Sequence, residues 1–209
     1  CMGGEDWWYH SHAHFDIQMM KRLSKRASIL YICSIGMRMP SIRHDTIFWK
    51  RIRRKLKSIS RLIQPIGSNL YVYSPLPFPL YQYRLGRSVN SIVLKTQIKI
   101  VYDLLKIQQP IVWINTPTGW PVVSNIPNLA LIYQRTDDYA AYDFDNFNSA
   151  FVKEIDDLLL SKADLVLHVS DELHHQSLGK TSRAVLLPQG VDEIFFGGNH
   201  QTPQDMINI

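Results

Sequence analysis

The chain has 209 residues, 45% of them hydrophobic and 20% charged, a composition that excludes a disordered or fibrous protein and allows one sizeable α/β domain or two small ones. Its two cysteines, Cys1 and Cys33, form no disulfide framework, so a reducing compartment is the default, and no apolar run approaches the roughly 20 residues of a membrane span. The net charge of +5 is uneven, because Lys50 to Arg61 holds seven Lys or Arg and no acid.

In chain order, Cys1-Met2 reads as the end of a first strand whose start would lie upstream. A helical pattern follows over His12 to Lys25, then an apolar strand over Ile29 to Cys33. Thr46 to Ile63 is helical in spacing, with Ile52, Leu56, Ile59 and Ile63 as its apolar stripe. Strands are predicted at Leu70 to Tyr73, Ile111 to Ile114, Leu131 to Gln134, Leu165 to His168 and Ala184 to Leu187. Further helical patterns lie over Val89 to Ile107 and Phe147 to Lys162. Ser170, followed by Asp171 and Glu172, predicts the N-cap of a short helix with acids at its positive end, and Gly179 breaks the chain after it. Strands apolar on both faces and separated by helices predict a mostly parallel sheet of about seven strands with helices on both faces. This is a Rossmann-like, doubly wound α/β domain over residues 1–196, with 197–209 as a polar tail or linker.

In such a sheet ligands bind where strands end, so the loops carry the candidate residues. After the first strand, Gly3 and Gly4 let backbone N–H groups approach a phosphate or a sugar; the rest of the loop is no dinucleotide fingerprint. His10, His12, His14 and Asp16 have spacing that can ligate zinc, although no later cluster completes the set. If they open a helix, His10 and His14 share a face and contact substrate while His12 points away. Thr116 and Trp120 follow the fourth strand. Asp137 and Asp138 follow the fifth, where a carboxylate can bond acceptor hydroxyls, serve as a base, or cap a turn. Trp7, Trp8 and Trp120 fall in loops, where a flat ring can stack on a sugar. Lys50, Arg51, Arg53, Arg54, Lys55 and Lys57 form either a solvated helix face or a surface for an anionic partner; with Phe48 and Trp49 they suit a membrane interface.

The closing phrase Ala163-Asp164, Ser170, Leu173, Pro188, Gly190, Val191, Asp192 and Phe196 resembles the end of the N-terminal domain of GT-B glycosyltransferases, with Gln189 where Asn is commoner. The resemblance extends to Trp7 or Trp8 with His10, Ser74-Pro75, Pro77 and Pro79, Trp113-Ile114 with Pro117, and Tyr133 with Asp137-Asp138. The chain is similar here to retaining bacterial enzymes that build cell-surface polysaccharides and teichuronic-acid-like polymers. The resemblance implies the acceptor-side half of such an enzyme, with the donor-binding domain absent and this half inactive alone. It implies transfer from a nucleotide-sugar donor, held mostly by the other domain, to a saccharide or lipid-linked saccharide acceptor. No tightly bound cofactor or metal is implied, and Asp138 is the candidate catalytic residue. Gly3, Gly4, Trp8, His10, His14, Thr116, Trp120 and Asp137 would contact substrate. The setting would be cytoplasmic, peripheral on the inner face of the plasma membrane.

Two readings from other classes stand beside this one. A metal-dependent hydrolase would use His10, His12 and His14. A nucleic-acid-binding module would use the basic run, though no nucleic-acid motif accompanies it.

Overall fold

The structure is a computed structural model, and it describes residues 1–8, 14–34, 61–76, 84–139, 141, 149–181 and 183–190. Helix α1 (Phe15–Leu23) starts after His14, whose backbone is extended, and carries Asp16 in its first turn with Lys21 and Arg22 in its last. These charges match the helix dipole. Strand β1 (Ile29–Ile32) follows, then a short strand β2 (Ile63–Pro65) and β3 (Leu70–Tyr73). Helix α2 (Arg84–Leu104) is longer at its start than the periodicity predicts. Beyond it Lys106 takes φ 55°, and the Lys106 and Ile107 amides turn back to the Asp103 and Tyr102 carbonyls, closing the last turn. Strand β4 (Ile111–Ile114) leads into a 3-10 turn (Pro117–Gly119) and the four-residue helix α3 (Trp120–Val123). Strand β5 (Ala130–Arg135), helix α4 (Ser149–Lys162), strand β6 (Leu165–His168), helix α5 (Asp171–Gln176) and strand β7 (Ala184–Leu186) complete the order. Ser170 caps α5 as predicted, its hydroxyl accepting from the Leu173 amide at 3.3 Å.

The fold is α/β, with a four-stranded parallel sheet in the order β4-β5-β6-β7 and a mixed three-stranded sheet in the order β1-β3-β2. The expected single run of about seven strands is therefore replaced by two ladders. Met2 joins them, bridging in parallel to Ile32 of β1 and Ile114 of β4. The predicted first strand is this bridge. Strand β2 runs antiparallel to β3 at the outer edge, where Pro65 is tolerated because no neighbour needs its missing N–H.

The helix expected over Thr46 to Ile63 lies outside the described residues except at its end, and there the prediction fails. Leu62 takes φ 45° and Ile63 opens β2, so the stripe cannot extend to Ile63. The stretch after β4, expected to be a loop, is helical instead. Its prolines occupy first-turn positions, where a missing N–H is harmless, and Val122 and Val123 are buried.

Alternation along the strands sends side chains to two cores. On one face, Ile17 and Met20 of α1 pack on Tyr31, Leu70 and Val72. On the other, Leu94, Ile98 and Val101 of α2 and Ile155, Leu159 and Leu160 of α4 pack on Ile32, Ile114 and Tyr133. Each such buried aliphatic side chain contributes about 1.5–3 kcal/mol, which fixes the strand ends that carry the site.

Candidate functional site

The strand preceding α1 and the strand preceding α3 are neighbours, yet their connections depart in opposite directions along the sheet, Met2 to β1 and β4 to β5. Such a switch leaves a crevice at the carboxyl ends of the two strands. The loops flanking it are fastened to each other. The Asn115 amide donates to the Met2 carbonyl at 3.1 Å, and the Gly3 amide to Ile32 at 2.9 Å. A Cβ on Gly4 would stand 3.5 Å from Thr116 Cγ2, and one on Gly3 would collide with the Tyr31 ring.

Asp16 sits behind these loops. Its Oδ2 accepts from the Gly4 amide (3.1 Å), the Tyr31 hydroxyl (2.8 Å) and Asn115 Nδ2 (3.3 Å), while Oδ1 accepts from the Ile17 amide (2.8 Å). Four uncharged donors from four parts of the chain converge on one buried carboxylate. Burial, and then the Asp16 charge, push the Tyr31 phenol well above its ordinary range, so it remains a donor. Trp7 stands edge-on to Tyr31 at 5.0 Å, buried, and is core rather than a sugar platform. Trp120 likewise packs against the core. Trp8 stays at the rim, its Nε1 donating to Ser74 Oγ at 2.9 Å and its face covered by Arg61 at 4.2 Å.

A second polar group lies at the end of β5. The buried Arg135 guanidinium pairs with Asp156 of α4 at 3.0 Å and with the half-exposed Asp138 at 3.6 Å. Tyr133 donates to Asp156, and burial followed by that carboxylate push its phenol well up. Tyr139 ties this end to the crevice, donating to the Asn115 carbonyl at 3.2 Å beside Thr136 Oγ1 at 2.9 Å. Asp137 is exposed at the same turn, bonded by the Thr136 hydroxyl at 3.4 Å. Among the described residues, the buried polar atoms with no hydrogen-bond partner include the acceptor Asn115 Oδ1 and the donor Arg135 Nε.

Among the predicted site residues, the structure brings Gly3, Gly4 and Thr116 together and sets Asp137 and Asp138 beside them through Tyr139 and Asn115. It separates Trp120. His14 is the residue before α1 and makes no side-chain cap bond, so helical spacing does not govern its relation to His10. His10, His12, Lys50, Arg51, Arg53, Arg54, Lys55 and Lys57 lie outside the described residues; Arg61, the last cation of the basic run, is the one over Trp8. Among the described residues no group of three or more His, Cys, Asp or Glu is spaced to hold a metal, and no helix is long and apolar enough to cross a membrane. Asp16, the acid of the histidine pattern, already has both oxygens bonded.

Sequence reasoning missed Tyr31, Asn115, Arg135, Tyr139 and Asp156 as site-forming residues and considered Asp16 only as part of the histidine pattern. The signal was there for three of them: a lone Tyr within an aliphatic strand, an Asn directly after one, and an Arg ending one. The chain matches no protein-family model and no curated protein.

Proposed function

We propose that this chain is the acceptor-side, N-terminal unit of a GT-B-type glycosyltransferase, built as a Rossmann-like, doubly wound domain. Adding Met2 to the ladders gives the order β2-β3-β1-Met2-β4-β5-β6-β7, which supports that finer reading of the fold. The observation that carries the functional reading is the use of the Gly4 amide and the start of α1 by an internal carboxylate, Asp16. A free glycine loop before a helix N-terminus attracts phosphate. Here an anion of the protein's own already sits there, so the crevice is suited to neutral hydroxyls rather than to the phosphates of a donor.

In this reading the donor nucleotide is held mainly by a second domain, and the crevice orients the acceptor saccharide. Asn115 Oδ1 receives one acceptor hydroxyl. The attacking hydroxyl oxygen forms the new bond to the anomeric carbon as the bond to the donor phosphate breaks. Asp138, held by Arg135, takes the hydroxyl proton, and Asp137 and Trp8 line the rim. The basic composition of Lys50 to Arg61, of which Arg61 lies over Trp8, suits an anionic leaflet and a lipid-linked acceptor.

The test is an amide chemical-shift titration with cellobiose, chitobiose and maltose, set against pyrophosphate, UDP and zinc. Saccharides are expected to move Gly4, Thr116 and Asp138 at millimolar concentration, with pyrophosphate leaving Gly3 and Gly4 in place. Strong shifts of Gly3 and Gly4 with pyrophosphate or UDP alone would overturn the acceptor assignment. Shifts at His14 with zinc, and none with sugars, would return the histidine cluster to the front.

A further inference from the structure

Strand β3 ends for a local reason. The Tyr73 carbonyl accepts from the Cys33 amide at 2.9 Å and the Ser74 amide donates to the Leu62 carbonyl at 3.0 Å, but Pro75 has no N–H with which to carry the ladder on. The next residue, Leu76, is bonded by a side chain of α2 where a strand would otherwise stand. Its amide donates to Gln97 Oε1 at 3.0 Å, and its carbonyl accepts from Gln97 Nε2 at 2.8 Å. A backbone N–H only donates and a backbone carbonyl only accepts, so the carboxamide fits one way round. The Tyr73 hydroxyl donates to the same Oε1 at 2.7 Å; burial pushes that phenol up to about 12, so it keeps its proton.

Two of these three bonds go to a residue whose side chain is 52% exposed and stands outside both cores. Core packing does not need Leu76 held, so what the clamp fixes is the path of the loop. Between the two residues bonded to Gln97 lies Ser74, and it is buried. Its hydroxyl accepts from Trp8 Nε1 at 2.9 Å and donates to Cys33 Sγ at 3.6 Å. With the backbone held on both sides of it, Ser74 offers its oxygen in one direction, and the indole edge of Trp8 follows. A glutamine on α2 is in this way connected to a ring at the rim of the crevice.

We propose that Gln97 is a positioning residue of the crevice: standing in for a strand beside Leu76, it holds Ser74, and through Ser74 it holds the Trp8 indole in place at the rim. That the held ring meets an acceptor saccharide rests on the function proposed above. Gln97 itself touches no substrate. Its effect on Trp8 runs entirely through the loop after β3, so removing the Ser74 hydroxyl should make Gln97 irrelevant to Trp8.

The experiment compares Gln97→Met, which keeps the length of the side chain and removes its three bonds, with Ser74→Ala and with the double variant. The first readout is hydrogen exchange of the Trp8 indole N–H; the second is its chemical shift under cellobiose, chitobiose and maltose. Ser74→Ala is expected to speed indole exchange roughly tenfold and Gln97→Met about threefold, with the double variant no faster than Ser74→Ala. Tyr73→Phe leaves both Leu76 bonds in place and should exchange like the parent. The saccharide shift at Trp8 should weaken several-fold in Gln97→Met. Parent-like exchange in Gln97→Met overturns the proposal, and so do additive effects in the double variant. Acceleration shared equally by the amides of Val72 and Tyr133 also overturns it, because that marks a loss of global stability. The expected exchange pattern with no saccharide shift in the parent upholds the positioning and overturns the acceptor reading.

Discussion

Asp16 and Asp156 are both buried carboxylates near the carboxyl ends of parallel strands, and they are stabilised in different ways. Asp16 is surrounded by neutral donors: two amides, a phenol and a carboxamide. Asp156 is paired with a buried guanidinium and bonded by one phenol. The ionic group joins β5 to α4 and the turn after β5, so it acts chiefly on packing between elements. The neutral group joins the loop after Met2, the start of α1, β1 and the end of β4, the pieces that flank the crevice. It keeps a fixed negative charge behind that crevice with no cation among its four donors. In the proposed reading, that carboxylate is what disfavours phosphate and leaves hydroxyl groups as the partners of the site.

The largest test of this contrast is Asp156→Ala. It leaves the buried Arg135 charge with the 3.6 Å contact to Asp138 and long hydrogen bonds to the Leu173 carbonyl and Gln176 Oε1, and should cost about 3–5 kcal/mol in urea unfolding. The double variant Arg135→Met, Asp156→Leu should recover most of that loss, since an apolar pair can replace a buried ion pair. If the double variant stays as unstable as the single one, the ionic group does more than join elements.

Asp16→Ala comes next. It removes charge-assisted bonds from several donors at once, worth about 2–3 kcal/mol net because the amides at the loop surface can turn to water. Here no apolar replacement should recover the loss, since Gly4, Tyr31 and Asn115 would remain without an acceptor. The sharper readout is ligand preference. With the internal anion gone, pyrophosphate should begin to shift Gly4, and failure to do so would break the argument that Asp16 screens the crevice against phosphate.

Much of the architecture was legible because it rests on period and capping. The strand at Leu165–His168, the Ser170 cap and the aliphatic stripes of α2 and α4 follow from residue types within a few positions of each other. Strand β2 was not legible. Three residues ending in Pro65 carry no period, and the positive φ of Leu62 that ends the preceding pattern is set by pairing with β3 rather than by a Gly or Asn. The site was half legible for a related reason. Gly3, Gly4, Thr116, Asp137 and Asp138 follow strands and could be found by position. Asp16 and Asp156 lie on helices and reach the site only through the way those helices cross the sheet. Trp7 and Trp120 looked like loop aromatics because the short helix after β4 and the turn after Met2 fold them back onto the core.

Acidification separates the two groups further. His168 sits level with Arg135 on the neighbouring strand and is fully buried, its Nε2 bonded to Ser177 Oγ at 2.8 Å. Since the Ser177 hydroxyl also bonds the His174 carbonyl at 2.8 Å, Nε2 carries the proton and donates. Burial first, then Arg135 and His174, push the imidazole down to about 4 from its ordinary 6.5. Between those values the unfolded chain takes up a proton that the folded chain refuses, so stability is full above pH 6.5 and falls toward pH 4. The loss should be roughly 2–3 kcal/mol and level off below that window. His168→Phe should flatten the profile; a slope that survives His168→Phe assigns the acid sensitivity elsewhere.

The smallest effect on stability is the most informative about function. Gly4→Ala adds a methyl group 3.5 Å from Thr116 Cγ2, an ordinary contact distance, and the glycine is not in the left-handed region, so folding should change by no more than about 0.5 kcal/mol. Gly3→Ala is its opposite, because the added carbon meets the Tyr31 ring itself and should be costly. The Gly4 methyl nonetheless stands between the two loops that flank the crevice. If a saccharide enters there, Gly4→Ala should weaken the titration at Thr116 and Asp138 several-fold while melting with the parent. If binding is untouched, the ligand lies on the outer rim with Trp8 and Asp137, and the crevice between Met2 and β4 serves only to lock the two loops together.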